Sequence, residues 1–334
     1  MSLTNIGDMS FSLMQRTRSA TLKSTMITLT QELTSGKTSD VRGRLASDYS
    51  YLTDIDHNLA RLDGYAISAT EAALFLSASQ QNLERMQEII STVGRDLLAI
   101  NPTSIEVARL QTSSEARLGL DTILSALNGS VGGRSLFAGT ATDTSPMASA
   151  NTMITALKVE VAGMTAVSDI LTAIDDWFDV GGGFKATMYT GSDDPLSPIH
   201  VGTNEQVSLS LRADDANFRS AMRNTMVAIL ATDSDLGLIP DTQNILLHEA
   251  GEGMLNDDHA LTGLRADLGY AEQRIEEASA RNGAARTSLG YARNELLEAD
   301  PFETATRLEE VQFQLESLYA VTVRTSRLSL LSFL

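Results

Sequence analysis

The chain has 334 residues, of which 43% are hydrophobic and 20% charged, and its formal net charge is −18. The hydrophobic fraction is sufficient for a buried core, and the length suggests about two domains. Because the chain contains no cysteine, disulfide scaffolds, thiolate metal sites and cysteine nucleophiles are excluded. The strong negative charge argues against nucleic acid as a partner, since a phosphate backbone requires basic side chains.

The charge is unevenly distributed along the chain. Residues 143–258 contain 18 acidic and 5 basic side chains, whereas residues 1–44 contain 3 acidic and 6 basic ones. An acidic middle between ends of different character indicates an inserted domain. No run of about 18 uncharged apolar residues occurs, so we expect no membrane insertion. The first residues lack a basic region and a long apolar run, so we expect no ordinary cleavable signal peptide.

The N-terminal segment shows the first helical pattern. Leu22, Met26, Leu29 and Leu33 follow one another in steps of four and three residues, which predicts an amphipathic helix. Gly36 supplies a C-terminal stop for this helix.

The segment from about residue 45 to residue 97 has a regular heptad pattern. Alternate steps of three and four from Leu52 reach 14 positions, of which 11 are apolar. A strict 3.5-residue period over this length predicts a coiled-coil helix, which would be roughly 80 Å long. Further helices are predicted over about 105–128, over about 258–298, and after Pro301.

The middle of the chain has another pattern. We expect a helical segment over 147–179, short strands over 184–190, 199–201 and 206–212, and a helix over 214–231. This predicts a mixed α/β insert.

These patterns predict a mainly α fold: a long helical coiled-coil rod built from both termini, with an inserted mixed α/β domain. The expected domains are the terminal helices at 1–44 and 299–334, the helical rod at 45–142 and 254–298, and the insert, which forms an outer domain, at 143–253.

No motif for catalysis, metal binding or cofactor binding stands out. The four histidines are scattered, and His248-Glu249 lacks the second histidine that a zinc-protease helix needs. Gly181–Lys185 lacks the Gly-Lys-Ser/Thr of a phosphate loop, and Asp257–His259 is interpreted as a helix N-cap. We therefore expect no enzyme and no cofactor; an enzyme with its site in the insert stays an alternative.

Motifs at the two termini resemble the flagellin family. Asp300–Leu308 and the apolar tail Leu328–Leu334 resemble the C-terminal signature of that family, in which an acidic turn precedes a helix that ends on a leucine-rich tail. Gln31–Lys37 is similar to the turn Gln-x-Leu-Ser-Ser-Gly-Lys/Arg near its N-terminus. The resemblance covers roughly residues 1–140 and 255–334.

Three features are closer to the members of this family that join the flagellar hook to the filament. Ser135–Thr140 resembles their Tyr/Phe-Leu-Phe-x-Gly-Thr segment, Tyr189–Asp194 resembles their Tyr-x-Gly-Asp turn, and the ending Ser332-Phe333-Leu334 resembles their aromatic tail. A filament subunit (flagellin itself) and a non-flagellar secreted coiled-coil protein stay open as alternatives.

The resemblance implies a structural subunit of the bacterial flagellum, located outside the cell and exported by the flagellar apparatus. The implied partners are further copies of the chain in a helical or ring assembly, a hook-associated protein at the hook tip, flagellin-like subunits, and an export chaperone. The predicted assembly interface consists of apolar residues near both ends: Leu22, Met26, Leu29, Leu33, Leu308, Val311, Leu315, Leu318, Leu328, Leu330, Leu331, Phe333 and Leu334. Packing within one molecule is the alternative role for these side chains.

Overall fold

The protein is described by a computed structural model that covers residues 3–45, 48–101, 104–208 and 210–331, without the side chains of 3–8 and 325–331. Two compact units are distinguished. The terminal unit combines the two chain ends, up to residue 62 and from residue 283 onward, and the middle unit consists of residues 63–282.

The described residues confirm the mainly α fold with helical termini. In chain order they form α1 (Leu3–Ser35), α2 (Val41–Arg44), α3 (Ser50–Ala99), α4 (Glu106–Leu127), β1 (Ser130–Val131), β2 (Arg134–Ser135), α5 (Ala150–Glu160), α6 (Val167–Phe178), α7 (Gly183–Met188), β3 (Ile199–Gly202), β4 (Glu205–Val207), α8 (Ala216–Ala231), α9 (Pro240–Leu297) and α10 (Pro301–Leu331). The described strands form two antiparallel pairs, β1 with β2 and β3 with β4.

In the middle unit, α3 buries the apolar row that the heptad pattern predicts. One row of buried residues repeats every seven positions: Ala69, Leu76, Leu83, Ile90 and Leu97. The second buried row consists of Ala72, Ser79, Met86 and Val93. Each of these residues lies one position before the residue that the predicted series contains. Both series contain the same first row, so the spacing alone did not distinguish them.

A matching row lies on α9 and was not recognised in the sequence. Its buried residues also repeat every seven positions: Leu247, Met254, Leu261, Leu268 and Ile275. The two helices are antiparallel here: Gln80 Nε2 donates to the carbonyl oxygen of Arg265 at 2.8 Å, and Gln87 Nε2 donates to Thr262 Oγ1 at 2.8 Å. The α3 and α9 rows belong to one hydrophobic core with residues of α4 and α8.

The start of α9 corrects a sequence prediction. The helix begins at Pro240 instead of about residue 258, with Asp241 in its first turn. Proline is well suited to a first helical position, and an acidic side chain there interacts favourably with the helix dipole. The interpretation of Asp257–His259 as an N-cap is therefore wrong, and the predicted domain limit at residue 253 falls inside a helix.

The segment between α4 and α9 has less strand than expected. The strand predicted over 184–190 is wrong, because α7 occupies most of it, and the strand predicted over 206–212 is limited to the last residues of β4. The pattern at α7 was misinterpreted because Phe184 and Met188 lie four residues apart and are both buried, which fits one turn of helix. Phe184 packs edge-on against Trp177, with ring centroids 5.9 Å apart.

The segments Ser135–Thr140 and Tyr189–Asp194, which the sequence analysis treated separately, lie together in the middle unit. Thr140 N donates to the carbonyl oxygen of Asp194 at 3.0 Å, and Thr140 Oγ1 donates to Ser192 Oγ at 2.7 Å. The Tyr189 hydroxyl donates to the carbonyl oxygen of Ser192 at 2.7 Å, and burial raises the pKa of Tyr189 to about 12. We call these two segments the two-motif cluster.

Gly139 is the tightest position of this cluster. Its φ is +60°, and a Cβ there would lie 2.4 Å from the carbonyl oxygen of Asp194. Gly132 has a similar φ of +58°, but a Cβ there would meet nothing within 4 Å. Substitutions at Gly139 and Gly132 therefore share the backbone strain, but only the substitution at Gly139 adds a steric clash.

We predict that Gly139→Ala destabilises the middle unit more than Gly132→Ala. Both substitutions add the cost of a left-handed L-residue, roughly 1–2 kcal/mol, but only Gly139→Ala also displaces backbone oxygens. Urea unfolding followed by the fluorescence of Trp177, the only tryptophan of the chain, measures both. Equal losses in the two variants would contradict this account.

Candidate assembly interface

The two terminal helices form an antiparallel pair, which we call the terminal helix pair (α1 and α10). Thr322 Oγ1 donates to Gln15 Oε1 at 3.3 Å, and at the other end of the pair Thr38 N donates to the carbonyl oxygen of Leu297 at 2.9 Å. The long N-terminal and C-terminal patterns of the sequence are therefore joined within the terminal unit.

The turn after α1 connects directly to the segment before α10. Gly36 adopts φ +67°, which ends α1, and its carbonyl oxygen accepts a hydrogen bond from Ala299 N at 3.0 Å. Glu32 stabilises the turn, since its Oε1 accepts from Ser39 N at 2.6 Å. The N-terminal motif thus contacts, through its backbone, the residue that directly precedes the C-terminal motif.

The start of α10 is capped by Asp300. Its Oδ1 accepts hydrogen bonds from Phe302 N at 2.8 Å and from Glu303 N at 3.1 Å. Pro301 occupies the first helical position, where its missing N–H is not needed. The acidic turn before the helix therefore has a local structural role.

The predicted assembly residues on α1 and α10 occupy different environments. Leu22 and Leu29 are buried, whereas Leu33 is 42% exposed. The remaining five with described side chains are half-buried: Met26, Leu308, Val311, Leu315 and Leu318. The predicted tail residues Leu328, Leu330, Leu331, Phe333 and Leu334 lie outside the residues whose side chains the structure describes. In one molecule, most of the described set is thus at least partly covered.

A second group of apolar side chains on the terminal helix pair was missed by the sequence analysis. These side chains are large and exposed: Met9, Phe11, Leu13, Met14, Ile27, Phe302, Phe313, Tyr319, Val321 and Val323. Phe11, Met14, Phe313 and Val321 line a groove of about 460 Å³ between α1 and α10. These residues lie outside the three-four series, so a search for that series did not detect them.

The groove also has polar walls. Gln15 and Arg18 contribute from α1, and Gln314 and Ser317 contribute from α10. Further along the pair, Lys23 Nζ lies 5.7 Å from the ring centroid of Tyr319. A mixed surface of aromatic, aliphatic and polar groups is typical of protein interfaces.

Over the residues that the structure describes, no group of three or more histidine, aspartate or glutamate side chains could hold a metal ion. In the same ranges, no helix is long and apolar enough to cross a membrane.

A family model of the bacterial flagellin C-terminal helical region matches residues 257–334. The chain resembles the flagellin family. The resemblance expected from the terminal motifs is thereby confirmed. The flagellin C-terminal helical region includes the Asp300 cap and all of α10.

A solved structure from Vibrio parahaemolyticus, provisionally described as a flagellar hook-associated protein, shares the fold. The TM-score is 0.56 at 13% sequence identity, and the match covers 75% of this chain and 99% of that chain. At this identity the likeness concerns the fold alone. No curated protein matches the sequence significantly.

We predict that Asp300→Ala loosens the first turn of α10 in the flagellin-like region, whereas Asp300→Asn does not. Loss of an N-cap oxygen costs about 1 kcal/mol, and asparagine retains such an oxygen. Hydrogen exchange of peptides covering 301–310 should become faster only in the alanine variant. If both variants exchange equally fast, the cap does not hold the helix.

Proposed function

We propose that this protein is a structural subunit of the bacterial flagellum that joins the hook to the filament. The observation that carries the proposal is the group of large exposed apolar side chains on the terminal helix pair. Phe11, Met14, Phe313 and Val321 of this group line one groove, and an exposed apolar patch of this kind is typical of a site of protein–protein contact. The match of residues 257–334 to flagellin supports a flagellar assembly, and the fold likeness to a hook-associated protein supports a position near the hook.

The composition of α1 supports assembly after export in an unfolded form. Six of its threonines donate their hydroxyls to the carbonyl four residues earlier: Thr17, Thr21, Thr25, Thr28, Thr30 and Thr34. Threonine is a weak helix former, and ordering the backbone costs about 1–2 kcal/mol per residue. Such a helix depends on tertiary contacts, first with α10 and then with neighbouring subunits.

The implied partners follow from this role. Copies of the chain form a ring or short helical assembly, with a hook-associated protein on one side and flagellin-like subunits on the other. A chaperone covers the apolar ends before export, and the protein is non-enzymatic and located outside the cell. The two-motif cluster supports the junction role, because both of its segments resemble the junction branch of the family.

We predict that Phe11→Ser combined with Phe313→Ser abolishes incorporation into flagella but leaves the helix content of the monomer unchanged. Both side chains line the groove and are exposed, Phe11 by 43% and Phe313 by 70%, so their loss removes contact area without opening a core. Val159→Ser with Val180→Ser is the matched control, because these valines are 72% and 71% exposed in the middle unit. Circular dichroism and immunoblots of purified flagella measure the two properties. Normal incorporation of the Phe11/Phe313 variant would refute this interface.

A deletion strain distinguishes the junction role from the filament role. Complete hooks without filaments, with flagellin released into the medium, are expected for a junction subunit. Loss of the bulk filament protein itself would indicate flagellin instead. Polymerisation of the purified chain alone into long filaments would also favour flagellin.

A further inference from the structure

Asp257 is a buried acid in the heptad pattern of α9. It is 4% exposed and belongs to a second row of that helix, in which its two neighbours, Ala250 and Leu264, are apolar. Its Oδ1 accepts a hydrogen bond from Ser220 Oγ at 2.6 Å, and its Oδ2 accepts from Asn224 Nδ2 at 2.6 Å. Both donors are neutral groups on α8.

A hydrogen-bonded chain continues from Asp257 to the surface. Asn224, which is also 4% exposed, accepts from Arg223 Nη1 through its Oδ1 at 2.7 Å. Arg223 Nε donates to Asp175 Oδ1 on α6 at 2.6 Å. The cation of this hydrogen-bonded series, Arg223, is therefore bonded to another carboxylate and is linked to Asp257 through the amide of Asn224.

The charged groups around Asp257 come from α8, α6 and α3 and from α9 itself. Arg223 faces it from α8 and Asp175 is joined to Arg223 from α6, while Arg219 lies one turn earlier on α8 and donates to the carbonyl oxygen of Phe178. On α3, Glu84 pairs with Arg265, about two turns further along α9. Neither the bond from Arg219 to Phe178 nor the ion pair of Glu84 with Arg265 neutralises Asp257.

Burial disfavours the ionised form of this carboxyl group. It raises the pKa of Asp257 above the ordinary aspartate value, against the lowering effects of Ser220, Asn224 and Arg223. The protonated form keeps both contacts, because a carboxylic acid O–H donates to Ser220 Oγ while Asn224 Nδ2 still donates to the other oxygen. Protonation therefore removes a buried charge without losing a hydrogen bond.

We propose that Asp257 is a proton-binding site that strengthens the packing of α8 on α9 as the pH falls. The folded chain binds this proton at a pH where the unfolded chain does not, so stability rises on acidification through that window. Asp193 behaves in the opposite way, because its hydrogen bond with Lys185 lowers its pKa and is lost in acid. This inference does not depend on the proposed flagellar role.

The test compares the full chain with Asp257→Asn from neutral pH down to about pH 4.5, above the ordinary aspartate pKa. Trp177 reports the unfolding in urea, because it lies on α6, which packs against α8. As the pH falls, the ratio of folded to unfolded protein should increase for the natural chain relative to Asp257→Asn, by up to about tenfold per pH unit. Asp267→Asn, an exposed charge on the same helix, is the matched control and should keep the natural slope.

Two further variants keep the carboxyl group and test the direction of the effect. Ser220→Ala removes a hydrogen bond that stabilises the ionised carboxylate more than the protonated acid, and Arg223→Gln removes a cation that favours the ionised form, so each should move the stabilisation to higher pH. These variants decide the question if Asp257→Asn does not fold, which circular dichroism checks. The proposal is overturned if Asp257→Asn keeps the natural pH slope, or if neither Ser220→Ala nor Arg223→Gln shifts it.

Discussion

Apolar rows that repeat every seven residues, and that no single helix can bury alone, are the constraint on which this structure depends. In the middle unit, α3 and α9 bring such rows together in antiparallel orientation, although the two helices are far apart in the sequence. In the terminal unit, α1 and α10 pack against each other and so cover apolar residues of the two chain ends. Each pairing is a long-range contact, so each half of the chain needs the other half to bury its apolar face.

Polar groups within the rows add specificity to this packing. Ser79 of α3 and Asp257 of α9 occupy buried positions of the heptad pattern, and Gln80 and Gln87 bond across to α9. Apolar rows alone permit neighbouring registers with similar burial. A shifted register would break the bonds of Gln80 and Gln87 to α9 and would separate Asp257 from its partners on α8, so these groups disfavour it; Ser79 bonds within its own helix and does not contribute.

The sequence predicted the helices well and the details of their contacts less well. Strong periodicity and terminal glycine or proline located α1, α3, α4 and α10 closely, since these signals are local. The α9 row escaped recognition because its companion row contains Asp257, which looks like a surface or capping residue in isolation. The strand predicted over 184–190 was wrong because so short a segment satisfies both a two-residue and a four-residue spacing. The exposed apolar residues of the terminal helix pair could not be identified, since their exposure depends on how α1 and α10 pack.

The threonine hydroxyls of α1 have a consequence for the character of its surface. Six of them are hydrogen-bonded to a carbonyl of their own helix, so their hydrogen-bonding capacity toward an approaching molecule is partly used. Of these six residues, all except the half-buried Thr28 are exposed. A segment that reads as polar by composition therefore presents many small hydrocarbon groups, and removing them from water requires little loss of hydration by polar atoms. A helix of this kind combines a polar composition with a surface suited to close packing against another helix.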